Sequence, residues 1–287
     1  MSEQTFNPEQ ENIDTSRRSA IGAGAKIAMS AGVLGAMGLS SIANAATKPA
    51  AVQEPKKSPY AEPEQYGLER PGMKIDPKRV ALVIVDPQND FLSPNGVMWG
   101  VLKDSIIENN TVENIESLFK AAKAVDMPVI VSPHYYYPTD HQWEFMAPGE
   151  NFMHKTNMFA RKSAYSMDGF EGSGADFVER YKPYIFDGKT TICSPHKIFG
   201  PETSDVVLQL RKRKIDQVIL AGMAANLCIE SHLRELVEQG FEVTVVKDAT
   251  AGPRIPEGDG YLAALVNFRL IANDLWTTEQ AVKNMGA

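Results

Sequence analysis

Short apolar runs alternate with stretches of helical spacing over the C-terminal two thirds of the chain. The run VALVIVD at residues 80–86 has no polar position before its last residue, which is typical of a strand buried on both faces. Residues 226–239 place apolar side chains on one helical face and stop before Gly240, a common residue just past a helix end. The pattern predicts further strands at 127–133, 190–195, 217–222, 242–248 and 273–277, and further helices at 104–126, 202–213 and 258–272.

This alternation predicts the fold class. Strands that alternate with helices form right-handed crossovers and a mostly parallel sheet covered by helices on both faces. We therefore expect an α/β fold of three layers, α/β/α, around a doubly wound sheet of six strands. In such sheets ligands bind beyond the carboxyl ends of the strands.

Three segments do not follow this alternation of strands and helices, and they set the predicted domain boundaries. Residues 134–188 form an insertion rich in aromatic residues, Met and Gly, which we expect to be a lid or an oligomer contact. Residues 46–78 are rich in Pro, Lys, Glu and Gln and are expected to be extended or disordered. The globular domain is then predicted at residues 79–287.

The N-terminal residues 1–45 have the layout of a cleaved export signal. Arg17 and Arg18 precede a weakly hydrophobic Ala/Gly-rich stretch, and the stretch ends in Ala43-Asn44-Ala45, a small-x-small cleavage pattern. The paired arginines predict a twin-arginine signal and a periplasmic or extracellular location. The alternative is an N-terminal tail without a targeting role.

Charge and composition limit the classes of partner that the chain is expected to bind. The net charge of −7 gives no basic surface for nucleic acid or an anionic membrane, and no second long apolar run follows the signal. Two cysteines are too few for a disulfide framework. We expect a small-molecule substrate, no nucleic-acid partner, no membrane association after signal cleavage, and a homo-oligomer.

Three chemically useful side chains fall near the carboxyl ends of predicted strands. Asp86 closes the first strand, Lys197 follows the third, and Cys228 lies just after the fourth. A helix N-terminus and a nearby lysine both lower the pKa of a thiol. A carboxylate beside the thiol can take its proton and pass it to a leaving amine. The set predicts a cysteine nucleophile, whereas a free cysteine is otherwise often a small buried apolar residue.

The stretches ALVIVDPQNDF (81–91) and VILAGMAANLCIESHLRELVEQGFEVTVVKDATAG (218–252) resemble the isochorismatase-like cysteine hydrolases over about residues 80–280. The resemblance implies a cofactor-independent hydrolase with Cys228 as nucleophile, Asp86 as general acid/base and a lysine as third member. It also implies a cis peptide bond between Met223 and Ala224. The oxyanion would then be bound by the N–H groups of Ala224 and Cys228.

Two departures from the family pattern bear on the reaction. The lysine is displaced, so Lys197 is the first candidate for the third member, with Lys155 and Lys189 as rivals. Nicotinamidases carry a D-x-H-x-x-x-H metal pattern after the second strand, and in HYYYPTDHQW (134–143) only His141 remains of it. We therefore expect neither a metal nor a cofactor.

The remaining predictions concern the substrate and the competing roles. An amide, ureide or carbamoyl C–N bond is the expected target, and Phe91, His134 and Tyr137 are expected to line the substrate pocket. The alternatives are a non-catalytic binding or scaffold protein on the same fold, or a vinyl-ether hydrolase of the isochorismatase type. A thiol-based redox role would need Cys193 within bridging distance of Cys228. His232 is expected on the helix surface.

Overall fold

The computed structural model describes residues 58–287 and contains one six-stranded sheet in the order β3-β2-β1-β4-β5-β8. All neighbouring strands in it are parallel, so the predicted three-layer α/β/α class is confirmed. The strands are β1 Val80–Val85, β2 Val129–Ser132, β3 Thr191–Ile192, β4 Gln217–Gly222, β5 Glu242–Val246, the hairpin β6 Arg254–Ile255 with β7 Gly258–Asp259, and β8 Asp274–Trp276. The helices are α1 Asn89–Leu92, α2 Trp99–Glu108, α3 Thr111–Ala124, α4 Pro148–Lys155, α5 Lys182–Ile185, α6 Val206–Lys212, α7 Glu230–Glu238, α8 Gly260–Ile271 and α9 Thr278–Met285.

The central strand β1 packs on both faces of the sheet. Successive side chains of a strand point to opposite faces. Leu82 and Ile84 accordingly pack with α2, α3 and α9 in one apolar cluster, and Ala81 and Val83 pack with α6, α7 and α8 in the other. Full burial of each Leu or Ile side chain contributes about 1.5–3 kcal/mol. The continuous apolar run therefore fixes β1 in the middle of the sheet.

Two predicted helices differ from the observed ones. The single helix expected at 104–126 is two helices, α2 and α3, because Asn110 between them adopts a left-handed backbone conformation with φ 53°. The helix expected at 226–239 begins with a π-helical turn, Ala225–Ile229, before α7. Such turns widen the backbone and are frequent at functional sites. This one contains Cys228.

The backbones of β1 and β4 approach each other closely at the carboxyl end of the sheet. Gly222 ends β4 with φ 117°, and a Cβ at this position would lie 2.0 Å from the carbonyl oxygen of Val85. The N–H of Met223 donates to that same oxygen at 2.9 Å. A glycine is thus required here to bring the turn that carries Cys228 against the end of β1.

The insertion at 134–188 folds over the carboxyl edge of the sheet. It contains α4, α5 and two short 3₁₀ turns at Asp140–Gln142 and Glu179–Tyr181. An isolated backbone bridge pairs Phe177 of the insertion with Gln88, which lies just after β1. The amide of Gln88 donates to the carbonyl oxygens of His134 and Ala175. The insertion therefore covers the region where the strand ends meet.

The described part of the N-terminal segment, residues 58–78, has no helix or strand but lies against the domain. Tyr60 donates to Asp259 at 2.6 Å, and Glu62 pairs with Lys247. Lys247 and Arg269 hold the pKa of Glu62 down to about 2, against the opposing effect of burial. The predicted export signal at 1–45 lies outside the described residues. Among residues 58–287, none of the helices has the length and apolar character needed to cross a bilayer.

Candidate active site

Four buried polar side chains meet at the carboxyl edge of the sheet. Asp86 directly follows β1, His134 follows β2, His196 follows β3, and Cys228 lies in the π-helical turn after β4. One donor atom from each residue lies within 4.8 Å of those of the other three. Parallel strands end at the same edge, so this grouping follows from the topology.

The carboxylate of Asp86 is fully buried, and its neighbour is a neutral histidine instead of the expected lysine. His196 Nε2 donates to its Oδ1 at 2.8 Å. The other oxygen, Oδ2, accepts no hydrogen bond from a nitrogen or a hydroxyl among the described residues. Burial raises the pKa of Asp86 to about 6, and the Cys228 thiol and the nearby His134 act in the opposite direction. Asp86 can therefore change its protonation state near neutral pH.

The thiol of Cys228 is protonated in this arrangement. Burial, and then the adjacent carboxylate of Asp86, raise its pKa well above the ordinary value, although the N–H groups of Ala224 and Cys228 lower it. The expected low-pKa thiol is therefore wrong, because the positive charge that would offset burial is missing. The thiol and the carboxylate form a pair between which one proton can move.

The backbone around Cys228 provides two hydrogen-bond donors. The peptide bond between Met223 and Ala224 is cis, at the position that the resemblance implies. The N–H groups of Ala224 and Cys228 both act on the sulfur. Donors so close to a nucleophile also lie close to the oxyanion that forms when it attacks a carbonyl.

Three histidines surround the pair, and burial keeps each of them neutral by lowering its pKa to about 3. Their tautomers follow from their partners, since a carbonyl or carboxylate oxygen can only accept. His134 donates from Nε2 to the carbonyl of Lys197 at 2.9 Å, and His196 donates from Nε2 to Asp86. Both Nδ1 atoms therefore carry no proton, and neither has a hydrogen-bond partner within residues 58–287.

His232 is buried, so the expectation of a surface histidine is wrong. Its Nδ1 donates to the carbonyl of Cys228 at 2.7 Å, and its Nε2 accepts from the hydroxyl of Ser132 at 2.9 Å. His232 thus contacts the backbone of Cys228 and the end of β2.

Lys197 does not join the site, contrary to the prediction. Its ammonium contacts Asp140 Oδ2 at 2.5 Å and the carbonyl of Tyr135 at 3.0 Å, and it lies 4.1 Å from the ring centre of Tyr137. It therefore points into the insertion. Its neighbour His196 takes the place beside Asp86, because a backbone bridge between His134 and His196 extends the register of β2 and β3.

The rival lysines do not complete the set either. Lys155 is exposed at the end of α4, and Lys189 pairs with Asp126 at the surface. The predicted Asp/Lys/Cys arrangement is thus replaced by Asp86, His196 and Cys228. His196 stands in the stretch SPHKIFGPE beside Lys197, but nothing in its local spacing distinguishes it from a turn residue.

A small apolar cavity of about 90 Å³ opens onto the sulfur. Two of the predicted pocket residues, Phe91 and His134, line it, whereas Tyr137 does not. The insertion contributes one wall through α4. The cavity is lined by Phe91, Met98, His134, Gly149, Phe152, Met153, Met158, Phe199, Leu227 and Cys228.

The second cysteine is neither in the four-residue group nor in the lining of the cavity. Cys193 and Cys228 are both free thiols. Burial, followed by the nearby Asp205, raises the pKa of Cys193. Cys193 packs in the apolar cluster under α6, α7 and α8, which fits a structural residue.

Comparison with known proteins places this site in a family. The isochorismatase domain model matches residues 80–280. The ureidoacrylate amidohydrolase RutB of Pseudomonas savastanoi pv. phaseolicola is 30% identical over 209 residues, 70% of this chain and 80% of that protein. The RutB protein of Caulobacter segnis is 28% identical over 204 residues, 68% of this chain and 80% of that protein.

Solved structures share the fold. A cysteine hydrolase from Pseudomonas syringae pv. phaseolicola superposes with a TM-score of 0.63 at 19% identity, covering 77% of this chain and 99% of that one. The N-carbamoylsarcosine amidase of Thermoplasma acidophilum gives a TM-score of 0.53 at 17% identity, covering 70% and 97%. The sequence match and the strand-end arrangement agree, and the chain therefore belongs to the isochorismatase-like family of hydrolases.

Proposed function

We propose that the chain hydrolyses a C–N bond of a small amide, ureide or carbamoyl compound through a covalent intermediate on Cys228. The observation that carries this proposal is the buried thiol and carboxylate beside two backbone N–H groups, at the end of an apolar cavity. Two of the similar proteins are named as an amidohydrolase and an amidase, which supports a nitrogen leaving group.

The proposed reaction uses one proton that moves between two residues. Asp86 takes the thiol proton as the sulfur of Cys228 attacks the carbonyl carbon, and the N–H groups of Ala224 and Cys228 stabilise the oxyanion. The C–N bond then breaks, and Asp86 gives the proton to the leaving nitrogen. Water attacks the resulting acyl thioester, loses a proton to Asp86, and the released thiolate recovers that proton.

His196 is proposed as a positioning residue for Asp86. A carboxylate with two free oxygens can turn away from the thiol, whereas the hydrogen bond from His196 Nε2 fixes Oδ1 and leaves Oδ2 for the proton. A neutral histidine stabilises the carboxylate less than an ammonium does. This weaker support fits the raised pKa of Asp86, about 6.

The walls of the cavity favour an uncharged substrate. Its residues are almost entirely apolar and include no lysine or arginine, and the ammonium of Lys197 is already paired with Asp140. A carboxylate placed in such a cavity loses its hydration without gaining a cation, which costs several kcal/mol. The volume of about 90 Å³ has room for about three water-sized groups. We therefore infer that the group bound there is small and neutral.

A matched pair of ureas tests this substrate class. N-isobutylurea and N-carbamoylglycine have the same heavy-atom skeleton, and only the second carries a carboxylate. We expect kcat/KM for the neutral compound to exceed that for the charged one by at least about 100-fold, measured as ammonia release. Equal rates, or a preference for the carboxylate, would rule out the apolar cavity as the specificity determinant.

The same assay distinguishes a wrong reaction type from a wrong substrate preference. Short neutral amides and carbamates form the second arm of the same assay. If none of the amides, ureas and carbamates releases ammonia with the purified mature chain, the proposed C–N hydrolysis is wrong.

We further propose that residues 1–45 direct export of the folded protein through a twin-arginine route. The paired Arg17 and Arg18 and the Ala43-Asn44-Ala45 pattern support this. In a bacterium with that route, the unmodified chain should be exported and begin at Ala46, and the double change of Arg17 and Arg18 to Lys should keep it in the cytoplasm. Cell fractionation with N-terminal sequencing measures both. Export of the double variant at the unmodified level would contradict the proposal.

Self-association also stays a prediction. Sedimentation equilibrium of the mature chain tests it, and a single species at the monomer mass over a wide concentration range would exclude a stable homo-oligomer.

A further inference from the structure

The residues around Cys228 include more ligand-type side chains than the proposed hydrolysis uses. That reaction uses the Cys228 thiol, the Asp86 carboxylate and the hydrogen bond that His196 donates to this carboxylate. His134 has no role in it but belongs to the same buried group. We propose that Asp86, His134, His196 and Cys228 form a binding site for Zn²⁺, and that the metal reversibly blocks the nucleophile. The blocking rests on the proposed function, whereas the binding does not.

Unpartnered lone pairs in the cluster are the second observation. Among the described residues, His134 Nδ1 and His196 Nδ1 are buried without a hydrogen-bond partner, and no nitrogen or hydroxyl donates to the buried Asp86 Oδ2. Buried polar atoms are nearly always paired, so three such atoms in one cluster need an explanation. Asp86 Oδ2 and His134 Nδ1 each carry an unshared electron pair that a cation can accept, and His196 would ligate through Nε2, which lies 2.8 Å from Asp86 Oδ1.

The outer contact of His134 sets this ring in the state that a metal requires. A ligating histidine is neutral and usually donates its other ring N–H to a carbonyl or a carboxylate, which fixes the tautomer. His134 does this toward the carbonyl of Lys197 and so keeps a bare nitrogen. His196 would bind through the Nε2 that now donates to Asp86, so the metal would replace this hydrogen bond and the ring proton would move to Nδ1.

The charge of the cluster also favours a cation. Asp86 is fully buried, and the ammonium of Lys197 is turned away to Asp140. An uncompensated buried carboxylate is strongly unfavourable. Zn²⁺ would neutralise both this carboxylate and the Cys228 thiolate. The proton released from the thiol would leave to solvent.

The donor set selects the metal. Two imidazoles, one thiolate and one carboxylate suit zinc, whereas magnesium and calcium prefer oxygen ligands throughout. Donor atoms of a tetrahedral zinc site lie about 3.3–3.6 Å apart, and those of the cluster already lie within 4.8 Å of one another. Side-chain movements of about 1 Å therefore complete the site.

Four protein ligands fill a tetrahedral shell, which determines the effect on activity. Zinc sites that activate water keep one position open. Here that position is filled by the sulfur that the proposed reaction needs. Bound zinc therefore stops hydrolysis and does not replace it with a metal-bound hydroxide.

Direct binding to the mature chain tests the site without an activity assay. After metal removal and thiol reduction, we expect one Zn²⁺ per chain with a Kd below about 1 μM, measured by competition with a chromophoric chelator. Co²⁺ in its place should produce a sulfur-to-metal charge-transfer band. Cys228→Ser should abolish the band, and both Cys228→Ser and His196→Gln should weaken Zn²⁺ binding at least about 100-fold.

Matched controls separate this site from other metal-binding groups. Cys193→Ser keeps the second thiol out of the assay, and His141→Gln removes an exposed histidine of the insertion; both should bind Zn²⁺ as the unmodified chain does. Circular dichroism checks that each variant is folded. Unchanged binding in folded Cys228→Ser and His196→Gln, or no stoichiometric binding to the unmodified chain, would overturn the site.

The activity arm distinguishes the two proposals. Hydrolysis should fall in proportion to Zn²⁺ occupancy and return after addition of a chelator. Stoichiometric binding to a chain that hydrolyses none of the test compounds would keep the site and reject the proposed hydrolysis. Full activity at full occupancy would reject the blocking role.

Discussion

Replacement of Cys228 by alanine is expected to lower kcat by at least about 10⁴-fold. The reason is that the acyl group then has no sulfur to bond to, and a water molecule activated by Asp86 would have to attack the less reactive amide or ureide directly instead of a thioester. Asp86→Asn should lower kcat by a similar factor, because an amide can neither take the thiol proton nor return it. Initial rates of ammonia release from the best neutral substrate measure both effects.

The matched control is Cys193→Ala, which removes the other buried thiol from the same chain. This variant should keep kcat within about 3-fold of the unmodified value, because Cys193 does not line the cavity. Thermal unfolding of all three variants checks the fold. Wild-type turnover in folded Cys228→Ala or Asp86→Asn would show that the reaction uses other residues.

The second large effect is expected at His196 and not at Lys197. His196→Leu removes the hydrogen bond to Asp86 Oδ1, so kcat should fall about 10²–10³-fold while KM changes little. His196→Gln should recover part of the loss, because its amide can donate to the same oxygen. Lys197→Met should lower kcat by less than about 10-fold, since the ammonium contacts Asp140 and Tyr135.

Steady-state kinetics of these three variants distinguish the two forms of the site. A loss at Lys197→Met as large as that at His196→Leu would return the lysine to the reaction. Equal losses in His196→Leu and His196→Gln would show that the hydrogen bond to Asp86 is not what His196 contributes.

The sheet and the positions of Asp86 and Cys228 were predictable from local sequence patterns. The run at 80–86 and the run at 217–222 are long, apolar and bounded by turn residues, so their strands appear close to the predicted bounds. Asp86 immediately follows the first run, and Cys228 lies in the turn after the second. Their proximity then follows from the pairing of β1 with β4.

The histidines and the charge state of the site were not predictable in this way. β3 has only two residues, so the sequence does not fix how far its backbone continues beside β2. That continuation decides whether His196 or Lys197 faces Asp86. The thiol pKa depends on burial and on the missing ammonium, and neither is visible in a helix-start pattern. His232 is buried and bonds to Ser132 at the end of β2, a contact that the apolar spacing of its helix does not reveal.

The most direct measurement is the mass of Cys228 during turnover. A slow neutral substrate is mixed with the mature chain, the reaction is quenched in acid before steady-state depletion, and the peptides are weighed. The proposed mechanism predicts that part of the peptide containing Cys228 carries the added mass of the acyl group. In Asp86→Asn this adduct should be absent. Turnover without an adduct, or an adduct found on Cys193, would contradict the covalent role of Cys228.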